Sequence, residues 1–477
     1  MGQSYEDSDV YKPQFSLLDR EGCERIHQAS LEILRRTGVR VHEEEALALL
    51  KEAGGVVGEN KLVKLPPALV EWALGKAPSR VALCRRGSDQ VAAPLAERHV
   101  NFGPGSDCPN YLDPKGGRRK FTAADVADCV RLCDALPQIQ FLMSMGIPSD
   151  VVSDRQYRHQ FALMLSNSTK PAVFVANDRA DCEAIVAMAA AAAGGIERLR
   201  LNPTLLLYSE PTTPLVHSQT ATEKLLYMAE QRLPIVHSPA PMMGGTAPIT
   251  LAGGLALGNA EVLSSLLIHQ LKQQGAPFVY GTGLHHLDMR TTISVYGAPE
   301  FQLARAMVAE MGRYYHLPTW GYAGCSDSPI MDAQAAADAA YQVRDALFTG
   351  TNLVHDVGYL EGGLTTSPEM IVFTAEMIDM HRRFMRGVCL DDESLALDVI
   401  HQVGPGGAFV ATDHTRAHFR RYWYPTLFER RRVDEWEAAG GKRLSDRLRE
   451  KTISMMERHR PDPLPESVQE EIDYILG

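Results

Sequence analysis

The sequence lacks several features that would indicate common protein classes. It has no long basic block, since the clusters Arg118–Lys120 and Arg430–Arg432 are short, and its net charge is −11 at pH 7. Binding to DNA or RNA is therefore not expected. The longest apolar stretch, Ala184–Ala193, is too short to cross a bilayer. The opening segment, Met1–Tyr11, is polar and acidic, unlike a signal peptide. These absences predict a cytoplasmic enzyme without a membrane segment.

Cysteine is also arranged without a recognisable pattern. The eight cysteines show no CxxC spacing. Such scattering fits reduced thiols better than a disulfide framework or a structural zinc site. Most of these residues are therefore expected to be small core residues, and no metal site is predicted.

What the sequence does contain is an alternation of short apolar runs with segments of helical length. Eight runs are rich in apolar and β-branched residues and end in Gly, Pro or a small polar residue. They are His99–Pro104, Phe141–Ile147, Ala172–Asn177, Thr204–Glu210, Ile235–Ala240, Phe278–Gly283, Thr319–Cys325 and Leu353–Gly358. Eight strands linked mostly by helices are typical of an α/β fold of the (β/α)8 barrel type, which places function at the carboxyl ends of the strands.

The length predicts three regions, because 477 residues exceed the roughly 250 of a plain barrel. Residues 1–95 are predicted to form a helical N-terminal extension and residues 96–390 the barrel. Residues 391–477 are predicted to form a C-terminal helical extension packed on the barrel. Barrels with long extensions often associate, so a homo-oligomer is expected.

Local signals predict where individual helices begin and end. Thr122–Asp125 is a capping pattern, and Gly194 follows an alanine-rich helix over Asp181–Ala193 as a stop. Pro329–Phe348 is predicted to be a helix with proline at its first position. Asp434–Arg460 is predicted to be one exposed, charged helix.

Ionisable residues at the strand ends are the candidates for chemistry. His355 and Asp356 lie inside an apolar run, where burial without a hydrogen bond is unfavourable. Strand alternation predicts that only one of the two faces the barrel mouth. Asp107 follows the first run, His285 and His286 follow the sixth, and Glu210 ends the fourth. A capping or turn role is an equal alternative for any one of them, and their convergence at one mouth is the stronger argument.

Aromatic residues interleave with these positions. They are Phe102, Phe174, Tyr208, Tyr280, Trp320, Tyr322 and Tyr359. An aromatic cavity with a nearby carboxylate suits a quaternary ammonium ion, which has no N–H to donate and is held by ring quadrupoles. The alternative is that each ring simply fills space in the core.

The stretch Pro241–Arg386 resembles the trimethylamine methyltransferase family, specifically its members without pyrrolysine. The motifs are Gly244–Gly253, Gly258–Glu261, Asp288–Arg290, Tyr296–Glu300, Asp332–Ala336 and His355–Glu361, with Val403–Gly407 and Asp413–Thr415 in the C-terminal region. The resemblance implies a TIM barrel that transfers a methyl group from a methylated amine to the cobalt of a corrinoid, the cofactor, held by a separate protein. Members without pyrrolysine act on quaternary amines such as glycine betaine, proline betaine, carnitine or γ-butyrobetaine, and this sequence has only standard residues.

The resemblance and the strand positions together give a hypothesis for the site. Four rings hold the ammonium: Tyr208, Tyr280, Trp320 and Tyr322. His285, His286 or Arg290 reaches the carboxylate of a betaine, and Glu210 and Tyr359 are further substrate-binding candidates. His355 is the predicted catalytic residue, close to the transferred methyl group or the cobalt.

Two other functions remain open at the level of sequence. His285, Cys325 and His355 lie at the ends of three consecutive strands and would form a zinc site that activates a thiol or alcohol for methyl transfer, or supports hydrolysis. A non-catalytic protein that only binds a betaine is the third possibility.

Overall fold

A parallel sheet surrounded by helices forms the centre of the protein. The computed structural model describes residues 10–477, so most of the acidic segment Met1–Tyr11 lies outside the described residues. The parallel strands are Asn101–Phe102, Ala172–Phe174, Leu205–Ser209, Ile235–His237, Phe278–Val279, Trp320–Tyr322 and Leu353–His355. Each falls within one of the predicted runs, and the predicted α/β alternation is confirmed.

Parallel pairings connect these strands in chain order. One group joins Ala172–Phe174, Leu205–Ser209, Ile235–His237 and Phe278–Val279, and the other joins Trp320–Tyr322, Leu353–His355 and Asn101–Phe102. Single parallel bridges, Tyr280 to Thr319, Phe102 to Ile139 and Leu142 to Ala172, lie between the groups. The run Phe141–Ile147 thus contributes bridges, without the regular strand that was predicted.

Alternate residues along the strands pack into one enclosed layer. Val173, Leu206, Val236, Val279 and Leu353 belong to a single buried cluster. Residues two apart on a strand point to the same face, so Tyr208 and Tyr322 follow on the same side towards the carboxyl ends. This layer closes the space beneath the candidate site.

The helices that flank the sheet are Ala123–Ala135, Gln156–Ser166, Arg179–Ala193, Ile196–Leu201, Gln219–Gln231, Leu251–Lys272, Pro299–Tyr314, Ala333–Thr349 and Pro368–Met385. Thr122 and Asp125 form the predicted capping box, and Gly194 ends its helix with φ of 80°. One predicted start was wrong: the helix assigned to Pro329–Phe348 begins at Ala333, because the Asp332 side chain accepts from the backbone N–H of Ala335.

Helix Leu251–Lys272 is the longest apolar element among the described residues. By length and composition it would cross a bilayer, with a mean hydropathy of 1.5 over 18 residues, but 83% of that window is buried inside the protein. Its sequence is apolar around most of its circumference because it packs on several neighbours, including Arg20–Glu32 and Pro67–Leu74. It has the burial of a core helix.

The N-terminal region is not purely helical, so that part of the prediction was wrong. Its helices are Arg20–Glu32, Glu44–Glu52 and Pro67–Leu74, with a π-helical turn at Ile33–Thr37 and a 3₁₀ turn at Glu59–Lys61. Its strands are Val10–Tyr11, Val39–Val41, Val56–Val57, Leu62–Lys64, Val81–Cys84 and Val91–Leu95. The last two form an antiparallel hairpin whose side chains Val81, Leu83, Ala93 and Leu95 pack into the enclosed layer.

Short strands form further small sheets. They are Asn110–Leu112, Arg118–Lys120, Val216–His217, Met242–Met243, His285–Leu287, Ser294–Val295, Tyr359–Leu360, Thr365–Thr366 and Val388–Cys389. Those that follow the parallel strands belong to loops at the carboxyl end of the sheet. They build up the wall around the candidate site.

The C-terminal region contains helices Asp392–Leu395, Leu397–Val403, Asp413–His418, Val433–Ala438, Leu444–Arg458 and Glu466–Leu476. The single helix predicted over Asp434–Arg460 is two helices, because Gly440 and Gly441 have positive φ and interrupt it. Leu444–Arg458 packs against Pro368–Met385 and Ala123–Ala135.

Candidate functional site

A cavity of about 220 Å³ lies at the carboxyl ends of the parallel strands. Its lining combines aromatic rings, carboxylates and two histidines: Ser106, Asp107, Tyr208, Glu210, Ala240, Gly283, His285, Tyr296, Phe301, Tyr322, His355, Asp356, Tyr359, Gly362 and Gly363. Six predicted site residues are brought together here: His355, Tyr208, Glu210, His285, Tyr322 and Tyr359. The volume is smaller than the roughly 300–1,000 Å³ of pockets for drug-sized ligands, so the cavity suits a small molecule.

His355 is enclosed by aromatic rings. Its ring stacks on Trp320 with centroids 4.2 Å apart and lies 4.1 Å from the ring of Tyr322. Both of its ring nitrogens are buried and make no hydrogen bond within the described residues. A buried polar atom without a partner at a cavity indicates a place where a ligand or water completes the contact.

Asp356 lines the cavity together with His355, which corrects the prediction that only one of them would do so. Asp356 has φ of 75°, so the chain leaves the extended conformation and strand alternation no longer applies at this residue. Its Oδ1 lies 2.6 Å from Nδ1 of His355, and both side chains are almost completely buried. The two residues therefore form one close pair in the wall.

Asp107 approaches the cavity from the loop after the first strand, and it too has a positive φ, of 71°. Its Oδ2 accepts a hydrogen bond from Ser106 at 3.0 Å, while its Oδ1 is buried without a partner. Burial raises the pKa of this carboxyl, against the opposing effect of its hydrogen bonds. Non-glycine residues with positive φ are strained and concentrate at functional sites, a pattern that Asp107 and Asp356 share.

Glu210 is a second carboxylate of the wall, and it is reached by solvent through the cavity. The hydroxyl of Tyr208 donates a hydrogen bond to its Oε1. Burial by the surrounding protein raises the pKa of Glu210, and the hydrogen bond from Tyr208 opposes that rise. A cation placed beside this carboxyl would favour its charged form.

His285 also lines the cavity, and one of its ring nitrogens is already hydrogen-bonded. Its Nδ1 is 2.5 Å from the carbonyl oxygen of Gly283 and is the donor, because a carbonyl only accepts. Burial lowers the pKa of His285, and the charge of Arg305 acts in the same direction. The neutral ring therefore has its lone pair on Nε2 and stacks parallel to Tyr296.

Two cavity residues that the strand ends did not indicate are Tyr296 and Phe301, whereas Asp107 follows the first run. Tyr296 and Phe301 come from the loop and helix after the sixth strand, and their ring centroids are 5.0 Å apart. Tyr296 belongs to the motif Tyr296–Glu300 that carried the family resemblance. That motif was the available signal for its role, whereas Phe301 had none.

Four predicted substrate-binding residues do not line the cavity. Trp320 lies beneath His355, and Tyr280 faces away from the enclosed layer and donates its hydroxyl to Oδ1 of Asn259 at 2.8 Å. His286 pairs with Val295 in a hairpin. The side chain of Arg290 is 93% exposed on a loop.

The alternative zinc site is not supported by its donor set. The thiol of Cys325 is buried and bonds to Oε1 of Gln342 at 3.2 Å, and Cys325 does not line the cavity that holds His285 and His355. Within residues 10–477, no group of three or more His, Cys, Asp or Glu side chains has a suitable arrangement for a metal ion. The geometry therefore does not support the alternative in which these three residues form one site.

The sequence matches the family described as trimethylamine methyltransferase (MTTB) over residues 3–476. The chain belongs to this family. A trimethylamine methyltransferase MttB of Desulfitobacterium hafniense (strain DSM 10664 / DCB-2) is 35% identical over 447 residues, or 93% of this chain and 90% of the relative. A glycine betaine methyltransferase of Desulfitobacterium hafniense (strain Y51) is 30% identical over 427 residues and 89% of each protein.

A solved structure extends the MTTB comparison to the fold. The monomethylamine methyltransferase MtmB of Methanosarcina barkeri aligns with a TM-score of 0.51 and 12% identity, over 93% of this chain and 89% of that structure. At this identity the likeness concerns the fold alone. Together with the family match, it establishes a methyltransferase of mixed α/β fold, and the aromatic cavity is the candidate active site of this MTTB protein.

Proposed function

We propose that the protein transfers a methyl group from a quaternary amine, a betaine or a related compound, to Co(I) of a corrinoid held by a separate protein. The observation that carries the proposal is the cavity wall, where five aromatic rings and three carboxylates surround a small volume. Ring faces and carboxylates both attract a cation that has no N–H to donate. The names of the relatives support methylated amines and glycine betaine as the substrate class.

The chemistry of a quaternary amine matches what the wall supplies. When a methyl carbon is attacked, its C–N bond breaks, the electron pair stays on nitrogen and a neutral tertiary amine leaves. No proton is needed for this departure, because the nitrogen already carries the positive charge. Co(I) supplies the electron pair for the new bond to carbon. Tyr208, Tyr322 and Tyr359 would then orient the ammonium and exclude water.

His355 has the central role in this proposal. Its Nε2 is a buried atom of the wall without a hydrogen-bond partner, and Trp320 and Tyr322 hold its ring from two sides. Oδ1 of Asp356 lies 2.6 Å from its other nitrogen. We propose that His355 contacts the substrate beside the transferred methyl group.

The wider architecture belongs to the same proposal. The order of parallel pairings and bridges leads from Asn101–Phe102 through all eight runs and back to Leu353–His355, which supports closure into a (β/α)8 barrel. We also propose an N-terminal region before residue 96, a barrel up to residue 390 and a C-terminal region from residue 391. A cytoplasmic homo-oligomer that docks a corrinoid protein is part of this proposal.

The test mixes the purified protein with Co(I) cobalamin and a panel of quaternary amines, and follows methylation of the cobalt by absorbance. We expect methylation with at least one amine, stoichiometric release of the tertiary amine, and loss of both in His355→Gln. The matched control is His401→Gln, because His401 is exposed on Leu397–Val403. If no amine on the panel supports methylation, the proposed function is contradicted.

A further inference from the structure

We infer that the cavity selects methylated ammonium ions whose remaining groups carry no negative charge, such as choline or a tetraalkylammonium, over betaines of similar size. This inference rests on the proposed function and narrows its substrate class. It depends on the charges of the wall, on the donors that the wall lacks and on the two cations outside it whose charges act on its residues.

The charged groups in the wall are all of one sign apart from the histidines. Asp107, Glu210 and Asp356 contribute carboxyls, and no lining residue among the described part of the chain is Lys or Arg. A betaine brings a carboxylate together with its ammonium. In a cavity of about 220 Å³ that carboxylate would lie close to like charges, and uncompensated burial of a charge is strongly unfavourable.

The two histidines do not offset the excess of carboxyl groups in the wall. His285 uses its N–H on the carbonyl of Gly283, so the neutral ring presents only a lone pair to the cavity. His355 contacts the carboxylate of Asp356, so a protonated His355 would have its charge compensated within the pair. Asp107 and Glu210 are left without a cationic partner in the wall.

The two cations outside the wall whose charges act on its residues, Arg305 and Lys224, bond to other groups. Arg305 donates to the carbonyl oxygens of Thr282 and Leu284, and its guanidinium lies behind the rings of Phe301 and Tyr322, 4.8 and 4.7 Å from their centroids. Lys224 is buried and donates to the carbonyl oxygen of Ala176 at 2.6 Å. Neither side chain lines the cavity.

Two atoms indicate where a cation would be accommodated. Oδ1 of Asp107 is buried without a partner, and Glu210 accepts from Tyr208 while remaining accessible to solvent. Tyr208 and Tyr322 line the same cavity, so an ammonium between these carboxyls would lie beside their rings. Charge pairing and ring contacts then act on the same group.

The test measures binding by titration calorimetry with the full-length protein, without any corrinoid. The probes are choline and tetramethylammonium on one side, and glycine betaine and γ-butyrobetaine on the other. We expect the first pair to bind at least about tenfold more tightly, which corresponds to about 1.4 kcal/mol. The uncharged choline isostere 3,3-dimethyl-1-butanol should bind more weakly than choline by a similar factor.

Two variants examine the carboxylates directly. Glu210→Gln and Asp107→Asn remove one charge each with little change in shape, and each should reduce the preference for choline over glycine betaine by about tenfold. The control is Glu437→Gln, because Glu437 is exposed on Val433–Ala438. Thermal melting of each variant shows whether it is folded. If Asp107→Asn does not fold, Glu210→Gln alone tests the role of the carboxylates in selectivity.

The outcomes separate this inference from the proposed function. Glycine betaine that binds as tightly as choline, or a preference unchanged in both folded variants, overturns the inference. If glycine betaine binds as tightly as choline and is demethylated, the proposed function stands while the inference about selectivity fails. If neither class binds, both are contradicted.

Discussion

The imidazole of His355 lies almost flat on the indole of Trp320, with ring centroids 4.2 Å apart and an interplanar angle of 25°. Trp320 is fully buried and belongs to the layer that closes the space below the cavity. The ring of Tyr322 contacts the imidazole from another side. The position of the proposed catalytic nitrogen is thus set by the packing of the sheet interior.

Replacing Trp320 tests this positioning role. Trp320→Leu removes the flat surface under His355, so the turnover number should fall about tenfold or more, as small misplacements of reacting groups do. Trp320→Phe keeps an aromatic face and should restore most of the turnover. The measurement is kcat and KM for methylation of Co(I) cobalamin. Equal turnover in folded Trp320→Leu and wild-type protein would contradict the positioning role.

Binding of a cationic substrate should depend on pH through Glu210 and Asp107. Burial raises the pKa of both carboxyls, and a bound cation favours their charged forms. Affinity for choline should therefore increase as pH rises through these raised pKa values and decrease below them. The hydrogen bond from Tyr208 and the charge of Lys224 oppose the rise in the pKa of Glu210. Hydrogen bonds from Ser106 and Tyr157 oppose the rise in the pKa of Asp107.

Calorimetric titrations of choline between pH 4.5 and 8 check this prediction, with a repeat in buffers of different ionisation enthalpy. Choline binding should release protons at the lower pH values. Tighter binding of choline as the pH falls would contradict the role given to the two carboxyls.

A methyl group at Gly105 should disrupt the site. A Cβ there would overlap Cζ and Oη of Tyr359 and Oδ1 of Asp356, far inside van der Waals contact. Gly105→Ala should therefore displace both side chains, destabilise the fold by about 1–3 kcal/mol and abolish ligand binding. The control is Gly117→Ala, where a Cβ meets nothing within 4 Å. Denaturant unfolding and calorimetry measure the two effects.

Seven of the eight runs contain the strand that the sequence predicted, because apolar and β-branched residues closed by Gly or Pro favour strands. The depth of each side chain within the sheet interior could not be predicted from the sequence. Trp320 and Tyr322 share one face of a strand, yet two residues correspond to about 6.5 Å along it. This distance places Tyr322 in the wall and Trp320 in the layer below.

The direction of the Tyr280 side chain, in contrast, could be inferred from strand alternation. Val279 points into the enclosed layer, so its neighbour Tyr280 must face the surrounding helices. Asp107 and Asp356 are different, because the alternation along a strand does not predict their positive φ values. Asp adopts positive φ more often than most non-glycine residues, but the apolar pattern does not indicate at which positions.

Arg290 should be dispensable for substrate binding. Its side chain is 93% exposed and its Nε lies 3.8 Å from Oδ1 of Asp288, outside the cavity. Arg290→Ala should leave KM and kcat within about twofold of the wild-type values for every amine, since exposed charge pairs contribute little. The same assay on a betaine examines its predicted role directly, because a selective rise in KM for betaines alone would restore Arg290 as the carboxylate contact.

Tyr280 should contribute to stability without contributing to substrate binding. Its hydroxyl donates to Oδ1 of Asn259 at 2.8 Å, and Nδ2 of the same asparagine donates to Tyr315 and Ser30. Tyr280→Phe leaves a buried acceptor of Asn259 without a partner, which should lower the free energy of unfolding by about 1–3 kcal/mol. Because the ring faces away from the cavity, KM for the amine should stay unchanged. Tyr474→Phe is the control, since that ring is 86% exposed. Urea unfolding together with steady-state kinetics separates the two roles, and a raised KM with unchanged stability would place Tyr280 in the substrate site after all.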